Sequence, residues 1–182
     1  MSMRQILPPS LTKTAFWGML LGLALALPLV HAKEEPSSLA ILGTIEDVEI
    51  ANEGIVLEAR LDTGATSSSL NALNKEKFER DGEEWIRFDV IDPDDEDAYI
   101  TLERPVERNV RIRRHSGESQ ERPVILMEFC IGDQRIKGDT TLIDRTNLTY
   151  QALIGRAHLA DHILVDSGAE HTHRPNCGDD DS

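Results

Sequence analysis

Basic residues are scarce. The chain carries 19 Lys and Arg against 33 Asp and Glu, a formal charge of −14 over 182 residues. Phosphate backbones and anionic lipid surfaces call for a basic field, so neither nucleic acid nor a charged membrane face is an expected partner. Cysteine is nearly missing, with only Cys130 and Cys177 present. No Gly-x-x-x-x-Gly-Lys-Ser/Thr loop is available to cradle a nucleotide, and no His-Glu-x-x-His pair to hold a catalytic zinc. Helical periodicity is equally thin, with residues 71–80 and 157–162 the short candidates.

Long apolar runs are absent but for one. Arg4 and Lys13 precede residues 14–30, which run from Ala15-Phe16-Trp17 to Pro28-Leu29-Val30 and exit through His31-Ala32. A charged start, an apolar middle and a small-residue exit make a secretory signal, with cleavage expected after Ala32. An uncleaved anchor is the competing reading, since the run sits at the lower limit of a spanning helix. After cleavage no stable membrane span is expected, and the protein would be periplasmic or secreted. In that oxidising setting Cys130 and Cys177 could bridge, although spacing alone leaves open whether the two sulfurs meet.

The remainder divides into a polar lead-in at 33–38, one folded domain at 39–168 and an acidic tail at 169–182 expected to be disordered. Within the domain, short strands dominate. Ile55, Leu57, Ala59 and Leu61 alternate with Val56, Glu58 and Arg60, the period of a half-buried strand. Stretches at 41–50, 85–91, 99–102, 110–113, 124–131 and 135–143 read the same way. Many short strands separated by Gly, Pro and Asn turns predict an all-β fold, a small barrel or sandwich. The acidic run 92–97 reads as a solvated hairpin tip, because it lacks the ligand spacing of a calcium loop. Arg111 and Arg113 would share one face of their strand, either solvated or facing acidic substrate residues, with the solvated reading favoured.

Chemistry concentrates at Leu61-Asp62-Thr63-Gly64-Ala65. An Asp at a strand end, followed by a hydroxyl residue and a Gly, is what an aspartic protease requires. The Gly lets backbone approach substrate, and the carboxylate needs a second carboxylate with which to share a proton. Further on, Ala152-Leu153-Ile154-Gly155-Arg156-Ala157-His158-Leu159 is an apolar strand ending in Gly and Arg, then a short helix. With these two motifs in order, the chain resembles the retropepsins, single-domain aspartic proteases of retroviruses. It is most similar to a proteobacterial group whose inherited name is ATP-dependent zinc protease. The segments Thr66-Ser67-Ser68-Ser69-Leu70-Asn71-Ala72, Asp144-Arg145 with Tyr150, and Leu153-Ile154-Gly155-Arg156 carry that likeness.

The resemblance implies a small closed barrel of retropepsin type with one short C-terminal helix. It implies Asp62 as the catalytic residue, with Thr63, Gly64 and Ala65 in the active loop and Gly155 and Arg156 as its support. One Asp per chain implies a homodimer acting on a peptide or protein, with no cofactor and no metal. Viral members place an acid at the Thr66 position to pair with the arginine, so here Arg156 needs another partner. Glu103–Asn109 and His115–Glu118 are both candidate hairpin tips, and neither is assigned as a flap. Val165-Asp166-Ser167-Gly168 repeats the Asp-x-Gly pattern, but too few residues follow to build a second lobe, so Asp166 is not expected to be catalytic. Two rival readings stand beside the peptidase. One is a peptide-binding envelope module of the same fold. The weaker one is a metal-dependent hydrolase using His158 and His162, four apart as helical ligands are, though without a third ligand or a neighbouring base.

Overall fold

The computed structural model describes residues 39–113 and 119–178. The expected signal sequence and lead-in therefore lie outside the described residues. In chain order the strands are β1 (Ala40–Gly43), β2 (Ile45–Ile50), β3 (Ile55–Leu61), β4 (Ser68–Asn71), β5 (Leu73–Arg80), β6 (Glu83–Asp92) and β7 (Asp95–Pro105). They continue with β8 (Arg108–Arg113), β9 (Ser119–Ile131), β10 (Gln134–Ile143) and β11 (Ala152–Ile154), then helix α1 (Arg156–Leu159) and β12 (Ile163–Asp166). The fold is all-β, as the strand periodicity predicts.

Six strands close on themselves. Pairing runs β10-β4-β11-β3-β2-β9, and β9 pairs again with β10, so the ring leaves no free edge among these six. Inward alternation fills its interior. Ile55, Leu57, Ala59 and Leu61 of β3 meet Val48, Ile50, Leu70, Phe129, Ile131 and Ile154, all buried. β8 continues β9 outward as a hairpin arm, and β5, β6 and β7 form a separate three-stranded sheet. Ile86, Phe88, Val90 and Leu102 of that sheet join the same core. The acidic run is the turn between β6 and β7, where Asp92 and Asp95 each accept a backbone N–H two residues on.

Two expectations need correction. Residues 71–80 are not helical, since β5 covers Leu73–Arg80 and pairs antiparallel with β6. Lys, Glu and Arg in this stretch favour a helix locally, but cross-strand pairing takes over. Lys77 meets Glu84 at 3.0 Å and Arg87 meets Glu76 at 3.3 Å across that pair. The tail is also not loose through residue 178. Ala169 O accepts Thr44 N–H, His171 N–H reaches Ile45 O, and Cys177 is disulfide-bonded to Cys130 with 5.9 Å between Cα atoms. At its centre lies Glu46, only 1% exposed. Its carboxylate accepts the N–H groups of Gly43, Thr172 and His173 and the Thr172 hydroxyl. A buried carboxylate with four donors replaces the hydration it has lost, and the tail is what supplies three of them. The bridge closes a 47-residue separation, which by loop entropy stabilises the fold by about 4 kcal/mol.

Candidate active site

β3 delivers Asp62 to the surface. Asp62 N–H donates to Ile154 O at 2.8 Å, which ties the loop to β11 running parallel beside it. Asp62 Oδ1 accepts Gly64 N–H at 2.8 Å, and Ala65 N–H reaches Asp62 O at 3.2 Å. The carboxylate thus braces its own turn with one oxygen. Asp62 is half-buried, and Thr63 and Gly64 are exposed on the outer side of the turn.

Arg156 finds neutral partners in place of the acid that viral members supply. Its Nη1 donates to Thr63 O at 2.8 Å and Gly64 O at 2.9 Å, while Nη2 donates to Thr66 Oγ1 at 3.0 Å. Arg156 and Ala157 also donate their backbone N–H groups to Ala65 O and Thr66 O. A planar guanidinium suits this, because its fixed fork can hold two neighbouring carbonyls and a hydroxyl at once. The sequence departure at Thr66 is therefore compensated by the hydroxyl itself.

Beneath the loop runs a buried relay. Gly155 N–H donates to Ser68 Oγ at 3.0 Å, Ser68 Oγ lies 2.8 Å from His158 Nδ1, and His158 Nε2 lies 3.0 Å from Met127 O. Met127 O can only accept, so Nε2 carries the proton, Nδ1 accepts, and the Ser68 hydroxyl donates. His158 is fully buried and stands edge-on to Phe129, 5.2 Å between ring centroids. Gly138 makes room for it, since a Cβ there would sit 2.8 Å from His158 Cε1. Both ring nitrogens are thus engaged by the protein. This overturns the metal reading: His158 has no lone pair to offer, and among the described residues no three of His, Cys, Asp and Glu cluster as ligands. The residues do not fit a zinc site.

Burial holds the His158 imidazole below its ordinary value of 6.5, with the Met127 carbonyl and Asp139 pulling weakly the other way. Burial pushes Glu46 up from 4.5, but its hydrogen bonds from Thr172, His173 and Gly43 outweigh this and hold it low. Both groups bind protons more readily in the unfolded chain. Stability is therefore complete above about pH 6.5 and is lost as pH falls, first through His158 and then, below about 4.5, through Glu46. Urea midpoints should be flat from pH 8 to 7 and then decline in these two stages. In His158→Gln the first stage should disappear.

A cavity of about 780 Å³ adjoins the loop, within the size range of ligand sites. Ala65, Thr66 and Ser67 form one wall, Arg108, Val110 and Ile112 of β8 with Arg122 and Val124 of β9 another, and Arg145, Leu153 and Arg156 close the end. Asp62 opens instead into a smaller recess of about 220 Å³ with Arg60, Leu148 and Tyr150, and Arg145 and Leu153 border both. Arg111 does pair with Glu121 on the opposite face of the hairpin arm, so the cleft-facing arginines of that arm are Arg108 and Arg122. Asp166 ends β12 in an exposed turn and is absent from both cavity walls. The candidate tip at Glu103–Asn109 is a crossing from the three-stranded sheet into β8, and His115–Glu118 lies outside the described residues. Sequence reading missed the Ser68–His158 relay and the cleft positions of Arg122 and Arg145. Only Arg145 left a trace, within the motif shared with Tyr150.

Residues 41–176 match the family described as retropepsin-like aspartic endopeptidase RimB. The chain belongs to the RimB-like family. Among curated relatives, it is 33% identical over 133 residues to a Parasynechococcus marenigrum protein named probable alpha-L-glutamate ligase, covering 72% of this chain. A Desulfotalea psychrophila protein of the same name is 33% identical over 128 residues, 69% of this chain. The chain spans about 28% of the length of either relative, so the ligase name describes much longer proteins. A crystal structure of a Legionella pneumophila protein of unknown function superposes with a TM-score of 0.65 at 30% identity, covering 74% of this chain and 98% of the other. Membership in the RimB-like family agrees with the retropepsin resemblance read from the two Gly-containing motifs.

Proposed function

We propose that this protein is an exported aspartic-type endopeptidase that works as a homodimer, with Asp62 and its twin facing across the twofold axis. The observation that carries the reading is the Asp62 turn, held by Ile154, Gly64 and the Arg156 fork beside an open cleft. Two carboxylates at close range share one proton. The ionised one takes a proton from water, the water oxygen bonds to the peptide carbonyl carbon, and the protonated one gives its proton to the carbonyl oxygen. Collapse of the tetrahedral intermediate breaks the C–N bond as the nitrogen is protonated. Thr63 and Gly64, exposed at the turn, would meet the partner loop and the substrate backbone.

The curated relatives' name points to glutamate chemistry, and four arginines around the cleft of an acidic protein suit an acidic peptide. Export is supported by the bridged cysteines, which persist in oxidising compartments, and the apolar run ending at Ala32 would set the mature N-terminus at Lys33. Mass measurement in solution together with peptide hydrolysis tests the reading. The expected result is a dimer whose activity is blocked by a pepstatin-type inhibitor and untouched by chelator. A strict monomer without hydrolysis would favour the peptide-binding module, and loss of activity on chelation would favour metal chemistry.

A further inference from the structure

Ser68 ties the end of the Asp62 loop to the layers beneath it. It opens β4 two residues after Thr66, and its carbonyl oxygen accepts the Thr141 hydroxyl of β10 at 3.0 Å. Its own hydroxyl oxygen accepts Gly155 N–H and lies against His158 Nδ1. The residue after Gly155 is Arg156, whose backbone N–H holds Ala65 O and whose guanidinium holds Thr63 O, Gly64 O and Thr66 Oγ1. A continuous path therefore runs from His158 through Ser68 and Gly155 to the arginine that grips the loop. Packing alone does not call for a histidine at its far end. A leucine would fill the space without stripping an imidazole of water, and β10 carries the bare Gly138 where a Cβ would lie 2.9 Å from Nδ1.

The relay has the right sense only while the ring is neutral. A proton on Nδ1 turns that nitrogen into a donor, and the Ser68 hydroxyl hydrogen then loses its acceptor in a site that is 0% exposed. The surroundings offer the cation little relief. Asp139 of β10 acts on the ring weakly and is itself paired with Arg108 of β8. β9 presents Met127 O and the edge of Phe129, β4 presents Ser68, and Arg156 of the same helix is engaged at the loop. We infer that His158 is a positioning residue for the Asp62 loop, acting through Ser68 and Gly155, and that the loop is seated for hydrolysis only while His158 is neutral. The inference rests on the peptidase reading for its effect on rate, but not for the seating of the loop. Burial holds the imidazole below its ordinary 6.5, so the seat is complete at pH 7 and is lost as pH falls through the ring's titration. The rate should therefore decline on the acid side while the barrel is still folded.

The wild type supplies the first test. His158 is titrated by its imidazole NMR signal while circular dichroism confirms the fold. Over the same pH range, amide exchange at Gly155, Arg156 and Ala157, corrected for intrinsic rate, and kcat for peptide hydrolysis are followed. Protection of the three amides should fall at least about 10-fold in step with the ring, and kcat should fall with it, more than KM changes. Variants then separate the Ser68 route from the mere burial of a charge. Asn sets its amide oxygen near the place of Nδ1 and keeps an acceptor for Ser68 at every pH, whereas Gln sets an N–H near Nε2 and keeps the Met127 bond instead. His158→Asn should hold most of the neutral-pH kcat and lose the acid decline. His158→Gln should lose the decline too, but with kcat about 10-fold lower. Ser68→Ala should lower kcat similarly and abolish the decline although His158 still titrates. A merely structural His158 would give Asn and Gln variants whose kcat simply tracks stability, with the decline intact in Ser68→Ala, and that result overturns the assignment. Should the variants fail to fold, the wild type decides: protection and kcat unmoved through the His158 titration overturn it as well. Protection that follows the ring, with no hydrolysis at any pH, would sink the peptidase reading and leave the positioning role standing. Hydrolysis whose acid decline survives in His158→Asn would do the reverse.

Discussion

Asp62→Asn is expected to remove peptide hydrolysis altogether, by at least about 10³-fold in kcat/KM, with fold and dimer mass unchanged. The amide oxygen of Asn can still accept Gly64 N–H, now at 2.8 Å from Asp62 Oδ1, so the turn keeps its brace. The stability change should stay within about 1 kcal/mol, the value of one exchanged hydrogen bond. An amide cannot take a proton from water at any working pH. In the proposed symmetric dimer the change strikes both halves of the pair, and no carboxylate is left to take over. The matched control is Asp166→Asn. Asp166 Oδ1 accepts Gly168 N–H at 2.9 Å and Ala169 N–H reaches Asp166 O at 3.3 Å, nearly the same turn as at Asp62. Equal local geometry with unequal activity would isolate the carboxylate's chemistry from its structural part. Activity retained in Asp62→Asn would mean that the reacting group lies elsewhere.

How far the site could be read from sequence follows from what each residue touches. Asp62, Gly64, Gly155 and Arg156 announce themselves because a turn and a strand end leave local marks: a small residue, a polar residue after an apolar run. β3 was equally plain, its four buried residues alternating with three exposed ones. His158 was ambiguous, because its spacing to His162 looks like a ligand pair, whereas its partners Ser68 and Met127 lie 90 and 31 residues away in sequence. Nothing local records such contacts. Glu46 is the same case, for its donors Thr172 and His173 lie in a segment whose composition alone reads as a loose tail. The β5 strand shows the converse failure. Its helix-forming residues are held extended by β6, which a local reading does not see.

Gly155→Ala should be strongly damaging, and the reason is contact, not backbone conformation. Gly155 has φ −98° and ψ −178°, an extended conformation that alanine adopts freely. A Cβ there, however, would lie 2.5 Å from Ser67 O, 2.7 Å from Ser67 C and 3.1 Å from Ala65 O. These are backbone atoms of the active loop, so no side chain can rotate away. The loop and the start of α1 must part. That movement strains the Gly155 N–H to Ser68 Oγ bond, the Arg156 and Ala157 N–H bonds to Ala65 O and Thr66 O, and the Arg156 fork. Overpacking of this kind costs about 1–3 kcal/mol, and each weakened hydrogen bond adds about 1 kcal/mol. Activity should fall further than stability does, by about 10²-fold, because a shift near 1 Å in a reacting group is enough for that. Gly82→Ala provides the comparison. Gly82 has φ +83° with open space around it, in the turn between β5 and β6, so alanine there should lower stability by about 1 kcal/mol and leave kcat/KM alone. Urea unfolding and peptide hydrolysis on the two variants distinguish the cases. Wild-type hydrolysis by Gly155→Ala would show that the Asp62 loop does not depend on its seat against β11 and α1.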